Sequence, residues 1–402
     1  MILRDRGQLD LDTPITTYVP EFRQVAEGPQ YSAPTVRMLM AMSGGLLTDD
    51  PWADRQEPIS NQELRDFVKG GVFLAAAPGT LFQYSNLGYA LLGQVIEGVT
   101  GRGFRDVIRD EVLIPLGLSS TGYEKSIVPD DRLARGYRRS IEGWVPLEFA
   151  GPGAFSCIGG LFSSTRDLSR WVNWLAEALV GTSSSNDILS LSSRREMQQI
   201  ATTIPFETSQ WVQEKEQRIT GYCFGLISEY DRRWGQFVSH SGGYPGFGSH
   251  VRWHAPSGLG VVVLENSTYA RAFATATTMI ETVLRDIDFQ LPAPAAWPQT
   301  LTMAERVTQL LTDWDESTFD ELFEPNVDMD VPYAERRILI DRVIAAAGGL
   351  VRPLVASFES ATSDSPMHLS WTVKGVDADL LCAIRLSPIS PSRVQTFRVS
   401  LL

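Results

Sequence analysis

Basic charge is scarce in this sequence. Lysine occurs four times in 402 residues, at Lys69, Lys125, Lys215 and Lys374, and the formal net charge is -13. Tracking a phosphate backbone needs a basic surface, so nucleic-acid partners are excluded. Cysteine is almost as rare: Cys157, Cys223 and Cys382 are scattered and odd in number, which implies no disulfide framework. With no Cys-x-x-Cys pair there is no structural zinc motif. The longest apolar runs, near 72–77 and 259–264, are too short to span a bilayer. In "MILRDRGQLDLDTPI", Arg4, Asp5 and Arg6 stand where a signal peptide needs an apolar stretch, so this segment carries no export signal. There is no Gly-x-Ser-x-Gly elbow, no phosphate loop ending in Gly-Lys-Ser/Thr and no His-Glu-x-x-His. The expectation is a protein without cofactor or metal.

What is present is a core-forming composition, 43% hydrophobic and 21% charged, over a length that suggests two or three domains. Three prolines in "LPAPAAWPQ" cannot continue the helical pattern of 268–286, so residues 291–299 read as a linker. Beyond it, 303–314 and 333–347 look helical. Four alternating segments follow ("LVASFES", "HLSWTVKG", "DLLCAIRLS", "RVQTFRVSLL"), so 300–402 is expected to be a small α+β domain of helices followed by an antiparallel meander. In the first part, Ser164 and Asp167 read as a capping box opening a helix with Leu168, Trp171, Val172 and Leu175 on one face. Then "ITGYCFGLISEY", "RWGQFVSHSGG", "FGSHVRWHAP" and "GLGVVVLENS" form four closely spaced strands, which favours antiparallel pairing. Residues 1–290 are therefore expected to be α/β, an antiparallel sheet flanked by helices with a helical subdomain.

Two segments carry candidate chemistry. Tyr84-Ser85-Asn86 stands at the mouth of a helical pattern through Leu87, Ala90, Leu91, Ile96 and Val99. Ser85 and Asn86 are good N-caps, so a helix start is one reading and an acid–base corner is another. His240-Ser241-Gly242-Gly243 falls at the end of a strand before a glycine-rich turn, where an exposed N–H could face a developing oxyanion and His240 could shuttle a proton. Alone, the segment reads equally as a glycine bulge beside an ordinary histidine. His250 and His254 are four apart on a strand, about 13 Å along it, too far to share a metal; they are read as surface or core residues.

Pro78-Gly79-Thr80, Tyr84-Ser85-Asn86, "GGLFSSTRDLSRW" and His240-Ser241-Gly242 occur in an order that resembles the serine β-lactamase-like family of class C β-lactamases, D-amino-acid peptidases and esterases. "GQLDLDTPITTYVPEF" and "PTVRMLMAMSGGL" are also similar to family segments, and the likeness covers about residues 1–290. It implies a β-lactamase/transpeptidase-like fold and an ester, amide or peptide substrate attacked through an acyl-enzyme. Tyr84 would be general acid/base and Asn86 would orient substrate. His240, with Ser241, would stand for the family's Lys-Thr-Gly, and Gly243 would supply an oxyanion N–H.

The family's first element, Ser-x-x-Lys, is missing. Three residues before the four lysines stand Asp66, Gly122, Val212 and Trp371, none of them serine. By the family pattern the pair would lie about ten residues ahead of Met1, with "MILRDRG" the end of its helix. The expectation is an N-terminally incomplete hydrolase with little or no activity in the chain as given. The alternative is a binding protein that keeps the cleft without the chemistry. The 300–402 domain is expected to be accessory.

Overall fold

In the computed structural model, which describes residues 1–50, 52–181, 188–205, 218–354 and 356–402, the chain divides into two units, Met1–Leu291 and Pro292–Leu402. The helices of the first are α1 (Ile2–Asp5), α2 (Val36–Met40), α3 (Asn61–Gly70), α4 (Asn86–Thr100), α5 (Phe104–Ile108), α6 (Thr165–Val180), α7 (Leu191–Glu196) and α8 (Ala272–Asp286). Its strands are β1 (Tyr137–Ser140) and β2 (Gly143–Pro146), a separate hairpin, and β3 (Thr202–Thr203), β4 (Arg218–Tyr222), β5 (Ile227–Asp231), β6 (Gly235–Tyr244), β7 (Phe247–His254) and β8 (Gly260–Glu265). The last six form one antiparallel sheet in sequence order.

Alternation along β6 distributes side chains to both faces of this sheet. Val238 packs with Trp253 and with Val172 and Leu175 of α6, whereas Phe237 packs with Ile280 and Leu284 of α8. Each such fully buried side chain is worth roughly 1.5–3 kcal/mol. A separate helical core joins Leu11 and Ile15 to Val36 and Leu39 of α2, Leu64 and Val68 of α3 and Leu91 of α4. At the start of α4 the Ser85 hydroxyl accepts the Gly88 N–H at 3.2 Å. At its end Gly101, with φ of 66°, donates to the Glu97 carbonyl, a left-handed cap that glycine adopts without steric cost.

Several boundaries differ from the sequence reading. "ITGYCFGLISEY" is not one strand but two, β4 and β5, folded about 223–226, and β3 adds a short edge. Only half of the Ser164 capping box forms. Ser164 accepts the Asp167 N–H, but the Asp167 carboxylate turns away to the Ser120 N–H at 2.7 Å and the Thr121 hydroxyl at 2.9 Å. The complete box belongs to α3, between Ser60 and Glu63. α8 begins at Ala272 rather than Thr268.

The second unit contains α9 (Pro298–Leu310), α10 (Glu316–Leu322), α11 (Pro325–Asp330), α12 (Tyr333–Ala346) and β9 (Ala356–Thr362), β10 (His368–Val373), β11 (Leu380–Leu386) and β12 (Val394–Leu401). Its strands make an antiparallel meander in the order β12-β11-β10-β9. Leu369, Trp371 and Val373 of β10 and Leu380, Cys382 and Ile384 of β11 share a core with Ala304, Val307 and Leu310 of α9. Pro298 stands in the first turn of α9 and not in a linker, because a first-turn N–H has no intrahelical partner to lose. The helix placed at 303–314 accordingly starts five residues earlier, and α10 and α11 were not foreseen.

Candidate active site

Tyr84 directly precedes the N-cap of α4, so the helical core fixes its backbone. Its ring lies 6.4 Å from that of His240, centroid to centroid. His240 itself is inside β6, four residues before its end, rather than at the terminus expected from sequence. Burial holds the Tyr84 phenol far above its ordinary pKa, and the carboxylates of Asp50, Asp54 and Asp49 add to this. The group is therefore protonated at neutral pH. Burial lowers the pKa of His240 and keeps the ring neutral, although the Ser241 carbonyl favours the protonated form.

Asn86 is only 6% exposed. Its amide donates to the Asp50 carboxylate, whose pKa burial raises to about 6. Asp49 accepts the N–H groups of Asn86 and Leu87, both at 2.8 Å, and the Ser85 hydroxyl at 3.3 Å. A carboxylate at a helix N-terminus also meets the positive end of the helix dipole. Asp49 and Asp50 thus fix the Tyr84-Ser85-Asn86 corner, and sequence reading missed both. Their signal was the acidic pair in "TDDPW", which has no periodicity to assign it to a helix or strand.

At the sheet, β5 begins with Ile227 opposite Ser239 and pairs no further along β6, while β6 continues beside β7 as far as the Tyr244–Phe247 pair that closes a two-residue turn. Counting back from that closing pair, the backbone groups of Ser241 and Gly243 point away from β7, toward the side that β5 leaves uncovered. Gly243 is not bare, however. A Cβ placed there would lie 2.7 Å from the ring of Tyr269, which has a positive φ of 52° and donates its hydroxyl to Asp54 at 2.8 Å. Ser241 is not part of the Tyr84 cluster. Its hydroxyl pairs with His250 Nδ1 at 2.8 Å, on the opposite face of the strand from His240. His250 and His254 are both buried, and His254 is held by Ser257 and the Trp234 carbonyl.

The geometry thus brings together Tyr84 and His240, with Asn86 two residues after Tyr84 in sequence and Gly243 further along the strand of His240. Residues 1–284 match the family model described as Beta-lactamase. The chain belongs to the beta-lactamase family. Among curated relatives, the unguisins hydrolase ungD' of Aspergillus campestris is 27% identical over 56% of this chain and 41% of its own length. Protein flp of Staphylococcus aureus is 26% identical over 66% of this chain and 49% of its own. The chain therefore spans about half the length, or less, of these relatives. Among solved structures, the octameric penicillin-binding protein homologue from Pyrococcus abyssi superposes with a TM-score of 0.60 at 20% identity, covering 99% of this chain and 84% of that one. The D-amino acid amidase from Ochrobactrum anthropi SV3 gives a TM-score of 0.52 at 24% identity, over 71% of this chain and 79% of that one. A class C beta-lactamase gives 0.53 at 19%, over 70% and 77%.

These likenesses establish the β-lactamase/transpeptidase-like fold, an antiparallel sheet flanked by helices. Among the described residues no group of three His, Cys, Asp or Glu side chains is arranged to hold a metal ion, and no helix is long and apolar enough to cross a membrane. A cavity of about 560 Å³, lined by Asn61, Phe104, Arg105 and Tyr123 among others, includes none of the site residues.

Proposed function

We propose that residues 1–290 are the catalytic part of a serine hydrolase that opens an ester or amide through an acyl-enzyme, with 300–402 accessory to it. The observation that carries this reading is the pairing of a half-buried, protonated Tyr84 phenol with His240 beside a strand edge that β5 leaves open. In the reaction a serine hydroxyl attacks the substrate carbonyl and passes its proton to its lysine partner, which later restores the proton that Tyr84 gives up. The negative charge passes to the carbonyl oxygen, where the Gly243 N–H receives it. As that intermediate collapses, the bond to the leaving group breaks and Tyr84 donates the proton the leaving group needs; water then releases the acyl group. Asn86, held by Asp50, orients the substrate, and His240 supports Tyr84 or binds the acyl side. An amide substrate fits a structural relative named as a D-amino acid amidase.

The 402 residues contain no Ser-x-x-Lys, so this chemistry requires a serine and a lysine that they do not supply in that form. A lysine ammonium beside Tyr84 would also oppose the carboxylates that now raise its pKa. The test is Tyr84→Phe in a protein that carries the pair. The ring and its packing persist, and kcat on an ester is expected to fall about 10²–10⁴-fold with an unchanged melting temperature. Near-full turnover by that variant sinks the reading.

A further inference from the structure

No residue of the β1–β2 hairpin is buried, on either face. Two short strands alone are marginal in water, so this pair stands because its root is held. The Tyr137 N–H donates to the Gly246 and Asn266 carbonyls at 3.3 and 3.1 Å, and the Tyr137 carbonyl accepts the Thr268 N–H at 2.8 Å. A Cβ on Gly136 would lie 2.7 Å from the Phe247 ring. The root is therefore fixed to the β6–β7 turn, at Gly246, three residues beyond Gly243.

The free end is sorted by chemistry. Ile141, in the turn, is fully exposed, and Trp144 is 60% exposed. Arg138 and Arg139 lie behind the turn on β1, Arg139 directly opposite Trp144, and Arg132 and Arg135 lead into the strand. All four arginines are exposed, and among the described residues none of their guanidinium groups has an ion-pair or hydrogen-bond partner. Exposed arginines elsewhere do: Arg102, Arg105 and Arg109 each hold a carboxylate. Glu142 is the one acid between 132 and 146, in a chain of net charge -13.

We propose that the hairpin docks the chain on an anionic lipid surface, Ile141 and Trp144 entering the headgroup layer and the four arginines pairing with phosphates. An apolar tip carrying a tryptophan, with unpaired arginines behind it, matches the layering of a bilayer surface, where aromatic rings sit at headgroup depth. A stable protein partner needs a face of about 800 Å², which a two-stranded tip does not present. A four-residue strand spans about 13 Å, more than the roughly 8 Å over which charges act at physiological ionic strength. The arginines can therefore meet an anionic bilayer while the acidic body stays screened from it. Because of the root, docking brings the Gly243 end of β6 near that surface. What this does for a substrate held there rests on the hydrolase reading above; the docking does not.

Co-sedimentation of the 402-residue chain with vesicles tests this without any substrate. Binding is expected to vesicles of equal parts phosphatidylglycerol and phosphatidylcholine, and not to phosphatidylcholine alone. Each basic residue at such a surface contributes about fivefold, so Arg138→Gln with Arg139→Gln should weaken binding roughly 25-fold. Ile141→Ser with Trp144→Ser should weaken it about tenfold or more. Both pairs are exposed, so the melting temperature should stay at the parent value. Equal binding to the two kinds of vesicle, binding to neither, or parent-level binding by either double variant overturns the proposal. So does self-association of the parent that Trp144→Ser abolishes, because a second copy then covers the tip. Failure of the hydrolase reading leaves vesicle binding as expected, and failure of docking leaves acylation by a soluble ester intact, so the two are distinguishable.

Discussion

Glu57 is 2% exposed, and its partners are the hydroxyls of Ser156, at 3.1 Å, and Tyr244. Its charged neighbour is another carboxylate, Asp54. Burial pushes its pKa from 4.5 up to about 7, against the Ser156 hydrogen bond. The folded chain therefore holds a proton between pH 4.5 and about 7 that the unfolded chain has lost. Stability falls with rising pH wherever the folded state binds more protons, so the contribution is complete below pH 4.5 and gone above about 7. The displacement corresponds to roughly 3 kcal/mol. Asp50, raised from 3.8 to about 6, acts in the same direction at slightly lower pH. Glu57→Gln keeps the shape and removes the ionisation. It is expected to flatten the loss of stability between pH 4.5 and 7.5 by about 3 kcal/mol. With two units, one bulk transition is ambiguous, so the assay is hydrogen exchange in peptides of α4 and β6 under graded denaturant. A Glu57→Gln protein with the parent's pH slope refutes the reasoning.

Asp49→Ala leaves two N–H groups of α4 and the Ser85 hydroxyl without their acceptor, and should cost about 2–3 kcal/mol in the first unit, with Asn recovering part of it. Gly243→Val drives a Cβ into the Tyr269 ring; the expected cost is about 1–3 kcal/mol, with slower acylation in a protein that carries the serine–lysine pair. A Gly243→Val protein that is destabilised yet acylates at the parent rate rules out the oxyanion role. Trp371→Phe removes the indole N–H that Thr308 accepts at 2.9 Å and opens a cavity, so unfolding of the second unit should be easier by about 2–3 kcal/mol, read by exchange in β10 and β11.

The sheet of the first unit and the meander of the second were legible because alternation and turn residues are local properties. Tyr84 and His240 were legible because each sits in a short motif whose order along the chain resembles the family's. What sequence could not give was the company those residues keep. Asp50 reaches Asn86, Tyr222 reaches His240 and Tyr269 covers Gly243 only after separations of 18 to 36 residues are folded together. Ser241 shows the same limit from the other side. It is adjacent to His240 in sequence, yet strand alternation turns it to the opposite face, where it meets His250. Ser164 and Asp167 have the capping-box spacing, but a tertiary demand from Ser120 and Thr121 took the carboxylate.

The central proposal is that Tyr84 serves an acyl-enzyme formed by a serine–lysine pair, and these 402 residues contain no Ser-x-x-Lys. Intact-mass detection of the adduct formed with an activated ester measures it most directly, on the 402-residue chain and on a protein that carries the pair. The account predicts no adduct on the former, a one-acyl mass increase at a serine of a Ser-x-x-Lys in the latter, and adduct formation about 10²–10⁴-fold slower with Tyr84→Phe. An adduct on a serine of the 402-residue chain, or parent-rate acylation by Tyr84→Phe, would contradict it.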